Sequence, residues 1–173
     1  MKNYVISDTH FAHTNIIKYC DRPFSSTEEM DETMIANWNA VVSPDDFVYH
    51  LGDFAFGRGS KELIEPYARR LNGRIILVKG NHDRETERWY CNRGFWSVYG
   101  GEFKHYDGDE LVLLSHRPYP TKLPYINIYG HIHNLFEITS PNYKCVCVEK
   151  LNYTPVDLDE LIKEIKHGIQ NHS

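Results

Sequence analysis

Nothing in the chain approaches the roughly 20 consecutive apolar residues needed to span a bilayer. Residues Met1 to Ile6 run directly into a strand-like segment and lack the apolar stretch and small-residue cleavage site of a secretory leader. Both absences point to a cytoplasmic protein that does not engage a membrane. Cysteine is scarce: Cys20, Cys91, Cys145 and Cys147 are the only four, with no C-x-x-C pair and no short-spaced framework. They are expected to be reduced thiols. A soft-metal site on Cys145 and Cys147, which alternate in a predicted strand and so share a face, would need further ligands that the sequence does not supply. A run of basic residues is also missing, and 24 acidic residues against 19 basic ones give a formal charge of -5. That balance argues against a dedicated binder of duplex nucleic acid. It still permits a phosphorylated substrate, because bound metal ions bring positive charge that composition does not count. There are no internal repeats, low-complexity tracts or interdomain linkers. The 173 residues therefore read as a single domain, able to bury a core without disulfides.

What the chain does have is a series of short apolar runs, each ending in a polar turn. Tyr4–Ile6, Phe47–Tyr49 and the near-continuous Arg74–Val78 read as strands, the last of a kind buried on both faces. Helices are predicted over Thr14–Cys20, over Thr27–Ala40 with Met30, Met34, Ile35 and Trp38 at helical spacing, and over Arg84–Cys91. Ser60–Leu71 also reads as a helix, with Pro66 demanding a kink or a later start. From Trp96 the pattern turns to successive strands: Ser97–Tyr99, Glu102–Tyr106, Glu110–Leu114, Ile126–Tyr129 and Tyr143–Glu149. A final helix is expected with Thr154 as N-cap, Pro155 at its first position, Asp157 in its first turn and an apolar stripe from Leu158 to Ile169. This order predicts two packed sheets with helices outside.

Five polar clusters each closely follow an apolar strand: Asp8-Thr9-His10, Gly52-Asp53, Gly80-Asn81-His82-Asp83, Ser115-His116 and Gly130-His131-Ile132-His133. Ligands gather outside the carboxyl ends of strands, so five such turns can converge on one place. Carboxylates, imidazoles and a side-chain amide form a donor set for Mn, Fe or Zn rather than for a soft metal. The glycines allow turns tight enough for ligands to crowd an ion. His131 and His133 would share a face in an extended segment, but on a turn they can diverge to two ions.

The ordered series D-x-H, G-D, G-N-H-D, a lone H after a strand, and G-H-x-H resembles the calcineurin-like metallophosphoesterase superfamily from Asp8 to His133. The resemblance implies an α/β fold, a four-layer αββα sandwich with a dimetal site at the carboxyl edge of the strands and no cap domain. It implies two divalent ions, Mn first, with Fe, Zn or Ni as alternatives. Asp8, His10, Asp53 and His133 would hold one ion, and Asp53, Asn81, His116 and His131 the other, with Asp53 bridging. The expected reaction is hydrolysis of a phosphodiester or phosphomonoester by in-line attack of a metal-bridging hydroxide. His82, spared as a ligand by Asn81, would protonate the leaving group. The expected substrate is a small organic phosphate, nucleotide-like or otherwise, with the diester favoured. A silent scaffold of the same fold usually loses ligands or the histidine of G-N-H, and neither is lost here. A nuclease acting on nucleic-acid ends is disfavoured by charge.

In many phosphoprotein phosphatases, a carboxylate three residues after the bridging aspartate pairs with the catalytic histidine; here that position is Phe56. Asp83 either orients His82 or caps the following helix. Arg117 either contacts a substrate phosphate or makes a surface ion pair. His13 is expected to start a helix rather than line the site. His50 is expected to be packed and hydrogen-bonded, and His105, His167 and His172 to lie on the surface.

Overall fold

The computed structural model describes residues 1–57, 60–119, 125–136 and 138–170. In chain order the elements are β1 (Asn3–Ile6), α1 (Thr14–Tyr19), α2 (Thr27–Val41), β2 (Phe47–His50), α3 (Ser60–Arg70), β3 (Arg74–Val78), α4 (Glu87–Cys91) and β4 (Ser97–Tyr99). Then come β5 (Glu102–Asp107), β6 (Glu110–Ser115), β7 (Ile126–Tyr129), β8 (Tyr143–Cys145), β9 (Val156–Asp157) and α5 (Leu158–Gln170). Two mixed sheets result, one ordered β4-β3-β2-β1-β9 and the other β5-β6-β7-β8. In the first, β1 to β4 run parallel and β9 is antiparallel to β1. In the second, β6, β7 and β8 are parallel and β5 forms an antiparallel hairpin with β6.

Alternation along the strands divides the core. Tyr4, Ile6, Val48, Ile75 and Leu77 pack against Met30, Met34 and Trp38 of α2, Ile64 of α3 and Tyr90 of α4. Their neighbours Val5, Tyr49 and Ile76 point the other way, toward Val112, Leu114, Ile126 and Ile128 of the second sheet. The stripe Leu158, Leu161, Ile162 and Ile165 of α5 joins this inter-sheet core. Each such aliphatic side chain, once buried, contributes on the order of 1.5–3 kcal/mol. The product is an α/β sandwich of two mixed sheets flanked by helices, as the resemblance implied. No helix of the described residues is long and apolar enough to cross a membrane.

The two sheets are tied together where the site lies. Ser7, just past β1, forms a parallel bridge with Cys147, just past β8. The Ser7 N–H donates to the Val146 carbonyl (2.9 Å), and the Val148 N–H to that of Ser7 (3.0 Å). The carboxyl ends of β1, β2 and β3 are thereby brought beside those of β6, β7 and β8.

Several local expectations are corrected. The strand predicted over Tyr143–Glu149 stops at Cys145, because Cys147 is taken up by the bridge to Ser7 and Val148–Lys150 then turn as a 3-10 helix. The last helix starts at Leu158 rather than Pro155, because Val156 and Asp157 first pair with Val5 and Tyr4 at the sheet edge. Its cap is Asp157, whose Oδ1 accepts from the N–H groups of Asp159 (3.1 Å) and Glu160 (3.2 Å). Helix α4 begins at Glu87, capped by Thr86 Oγ1 on the Trp89 N–H. Helix α3 runs on through Pro66, with Ile64, Ala68 and Leu71 buried beside it.

Candidate metal centre

Asp8 and His10 leave the end of β1, Asp53 the end of β2, and Asn81 and His82 the end of β3. His116 follows β6, and His131 and His133 follow β7. The turns are severe. Asp8 (φ 59°), His10 (φ 50°), Asp53 (φ 55°), His131 (φ 73°) and His133 (φ 50°) all occupy the left-handed region, which side chains other than glycine enter at a cost. Gly80 and Gly130 make room for them. A Cβ on Gly80 would stand 2.2 Å from Asp53 Oδ1, and one on Gly130 would stand 2.4 Å from Asp8 Oδ2.

The side chains form two groups that meet at one oxygen. Asp53 Oδ2 lies 3.6 Å from His10 Nε2 and 3.5 Å from His116 Nε2. On one side, Asp8 Oδ1 is 3.9 Å from His10 Nε2 and 3.6 Å from His133 Nε2. On the other, His116 Nε2 is 3.1 Å from both Asn81 Oδ1 and His131 Nδ1. Asp8, His10 and His133 can therefore offer atoms to one ion, and Asp53, His116 and His131 to another. His131 and His133 do diverge, one to each group.

The hydrogen bonds leave the inward-facing atoms unused. Asp8 Oδ2 is engaged by the Ser7 hydroxyl (2.5 Å), the His131 N–H (2.8 Å) and the Cys147 thiol (3.3 Å). Asp8 Oδ1, although buried, has no partner among the described residues, and neither does His10 Nε2. His116 Nδ1–H donates to the Leu51 carbonyl (2.9 Å), so its Nε2 carries a lone pair facing the acceptor Asn81 Oδ1. Two acceptors at that distance need a cation or a proton between them. Burial pushes the Asp53 carboxyl above the usual carboxylate range, and Asp8 adds to the effect. His131 is driven down to about 4 by burial and by His116, and His10 well below its ordinary value by burial and the other histidines. His10 and His131, favoured as neutral imidazoles, stand beside crowded carboxylates in a donor set that fits divalent cations.

A surrounding layer, unread in the sequence, orients these groups. Glu149 Oε1 accepts from His133 Nδ1 (2.9 Å), fixing that ring with Nε2 toward Asp8. Burial disfavours a protonated His133, but the Cys20 side chain, Glu149 and Asp8 outweigh it and lift the imidazole to about 10. Arg22 pairs with Glu149 (2.8 Å) and donates to the carbonyls of Asp8 (2.8 Å) and Thr9 (2.9 Å). Cys20 also stands close enough to His133 and Glu149 to form a third donor trio. The only sequence signal was that Glu149 ended a predicted strand; an isolated Arg22 gave none.

Asp83 neither orients His82 nor caps a helix. Its carboxylate accepts from the N–H groups of Asp53 (2.6 Å), Gly80 (2.8 Å) and Phe54 (3.3 Å), clamping two ligand-bearing turns together. Burial raises it to about 6. His82 is partly exposed beside Asp53, its Nε2 3.9 Å from Asp53 Oδ2 and its N–H donating to Asp53 Oδ1 (2.8 Å). Its ring lies on Phe56. His13 stands at the N-cap of α1 as expected, yet its ring also lines the site, Nδ1 3.3 Å from His10 Nδ1. His50 is fully buried and hydrogen-bonded; His105 is half-buried with its ring against Tyr49; His167 is exposed. His172 lies outside the described residues. Arg117 is exposed, with Nη2 3.5 Å from Asn81 Oδ1 and no ion pair among the described residues. Cys145 and Cys147 are buried with sulfurs 3.4 Å apart; the Cys147 thiol borders Asp8, but neither sulfur joins a donor trio among the described residues.

A carboxylate–imidazole centre at the carboxyl edge of paired sheets suits metal-dependent hydrolysis, that of phosphoesters included. Residues 1–169 match the calcineurin-like phosphoesterase family, and the chain belongs to it. It is 39% identical to the uncharacterized protein MJ1445 of Methanocaldococcus jannaschii, over 96% of this chain and 93% of that one. It is 30% identical to the Gene 66 protein of Mycobacterium phage L5, over 65% of this chain and 61% of that one. Among solved structures, a protein of unknown function from Aquifex aeolicus superposes with a TM-score of 0.73 at 28% identity, over 94% of this chain and 98% of that one.

Proposed function

We propose that the protein is a dinuclear phosphoesterase that hydrolyses a small, nucleotide-like or other organic phosphate, a diester in preference to a monoester. The observation that carries this reading is the convergence of both ligand groups on Asp53 Oδ2. In this reading Asp8, His10, Asp53 and His133 hold one ion and Asp53, Asn81, His116 and His131 the other, with manganese the preferred metal. Such a pair of ions would activate water and neutralise the phosphoryl oxygens.

The chain's own residues do the rest. Asp53 Oδ2, shared between the groups, sets their spacing, while its Oδ1 is held by the His82 N–H. That contact keeps His82 at the rim of the centre. From there its Nε2 reaches a departing oxygen and delivers a proton to it. The water-poor floor, with Asp8, His10 and Asp53 all buried, strengthens each electrostatic contact made there. A substrate enters from the exposed side, where His82, His131 and His133 are only partly covered. The test pairs Asp53→Asn with His82→Ala. Asp53→Asn should lose metal and nearly all turnover of bis-p-nitrophenyl phosphate. His82→Ala should keep its metal and lose about 10²–10⁴-fold in kcat. If His82→Ala turns over at the wild-type rate with a poor leaving group, the acid role is wrong.

A further inference from the structure

Beside the Asn81–His116 side of the centre lies an open cavity of about 510 Å³, whose lining includes Lys79, Asn81, Glu102, His116, Arg117 and Tyr119. Its size falls in the range of small-molecule sites, roughly 300–1,000 Å³. Two cations contribute to it, and neither Lys79 nor Arg117 makes an ion pair among the described residues. Arg117 Nη2, 3.5 Å from Asn81 Oδ1, ties the cavity to the metal centre.

The wall is built rather than incidental. The fully buried Asn127 accepts from the Tyr119 N–H (2.8 Å) and donates to Ser115 Oγ (2.9 Å). Ser115 Oγ in turn donates to the Arg117 carbonyl (2.7 Å), and the Tyr143 hydroxyl to that of Tyr119 (2.8 Å). These bonds fix the backbone that carries Arg117 and Tyr119. Glu102 is the one carboxylate of the lining, and the Tyr119 hydroxyl donates to it (3.3 Å).

Ions held in the dinuclear centre would already neutralise one phosphoryl group. Two further cations beside them are surplus for a substrate with a single phosphorus, but they match one that carries more negative charge. We infer that this cavity is a subsite for a second phosphoryl group on the substrate, held by Lys79 and Arg117, with Tyr119 flanking the connecting organic part. The preferred substrate is then a phosphodiester or phosphoanhydride whose flanking group is itself phosphorylated. Arginine suits this role because its planar fork binds phosphate in bidentate fashion. The inference rests on the dinuclear reading, since that centre takes the first phosphoryl group.

The test compares calorimetric binding of propylphosphonate and propane-1,3-bisphosphonate, neither hydrolysable, to the manganese-loaded protein. Metal content is measured before and after. The wild type should bind the bisphosphonate at least about tenfold more tightly. Lys79→Met/Arg117→Met should bring that ratio close to one, with each single variant in between. Circular dichroism checks the fold of each variant. Equal affinities in the wild type, or a preference that survives the double variant, would overturn the subsite. Turnover of bis-p-nitrophenyl phosphate is followed in parallel. A wild type that hydrolyses the ester but shows no preference loses the subsite and keeps the dinuclear reading. A cation-dependent preference without turnover of any ester does the reverse.

Discussion

The ring of Phe56 packs on that of His82 with centroids 4.1 Å apart, and His82 Nδ1 is buried without a hydrogen-bond partner among the described residues. The imidazole is thus oriented by an aromatic face and by the bond from its backbone N–H to Asp53 Oδ1, with no carboxylate on its ring Nδ1 among the described residues. Phe56→Asp would put an acceptor within reach of Nδ1 and stabilise the protonated ring. The expected result is a kcat profile whose basic limb moves to higher pH by about one unit. An unmoved profile with kcat merely reduced would mean that Phe56 acts by packing alone, and that His82 is not the proton donor.

Glu149 holds His133 by the bond to Nδ1, and Arg22 holds Glu149. In Glu149→Ala, Arg22 keeps its carbonyl contacts but loses its counter-charge, and His133 loses the partner that fixes its ring. Affinity for metal at the Asp8–His10–His133 group should fall about 10–100-fold. Thermal stability should fall as well, because a buried guanidinium is left unpaired. Equilibrium dialysis against manganese reads the first effect and calorimetry the second. Unchanged metal affinity would remove Glu149 from the site.

His50 supports the same turns from beneath. The Thr9 hydroxyl donates to the Phe54 carbonyl (2.7 Å), so Thr9 Oγ1 accepts from His50 Nε2–H (2.9 Å), while Nδ1 accepts from the Gly52 N–H (3.2 Å). Both ring nitrogens are thus used by the neutral form, and burial, with His116 adding, drives His50 down to about 3. A folded pKa below the free value of about 6.5 means that the unfolded chain binds the proton more readily. Stability is therefore full above about pH 6.5 and falls as pH drops toward 3, by up to about 1.4 kcal/mol per pH unit from this group. Denaturant melts from pH 7 to pH 4 should show that slope, and His50→Gln should flatten it. Parallel slopes in both proteins would show that other groups govern acid unfolding.

Gly80→Ala tests the crowding directly. No unusual backbone angle protects this position, yet an added Cβ would lie 2.2 Å from Asp53 Oδ1 and 2.6 Å from the Asp53 nitrogen. The Asp53 turn must shift, so metal stoichiometry should drop while the sheet registers survive. Circular dichroism close to the wild type together with a loss of bound metal is the expected pair of results. Full metal content would show that the turn can yield without moving the carboxylate.

The convergence of these side chains was legible in the sequence because each sits in a short string right after an apolar strand. The parallel strand ends then carry those strings to one edge. The strands Arg74–Val78, Ser97–Tyr99 and Ile126–Tyr129 were legible to the residue because they are short apolar runs closed by polar turns. What escaped was settled by partners distant in the chain. Arg22 meets Glu149 across 127 positions, and no local pattern announces such a pair. Asp83 looked like a helix cap or a histidine partner because the donors it accepts from, the N–H groups of Asp53 and Phe54, lie about thirty residues earlier. The misplaced start of α5 has the same origin: β1 offers an edge, and Val156 pairs with it before the helix can begin.

The most direct test of the dinuclear centre is a titration of chelated protein with manganese, zinc, nickel or magnesium. Bound metal and turnover of bis-p-nitrophenyl phosphate and p-nitrophenyl phosphate are followed together. The account predicts that activity is absent without metal, returns fully at two equivalents per chain, and favours the diester. Protein that binds two equivalents and hydrolyses neither ester nor any natural phosphoester, or that reaches full activity at one equivalent, would contradict it.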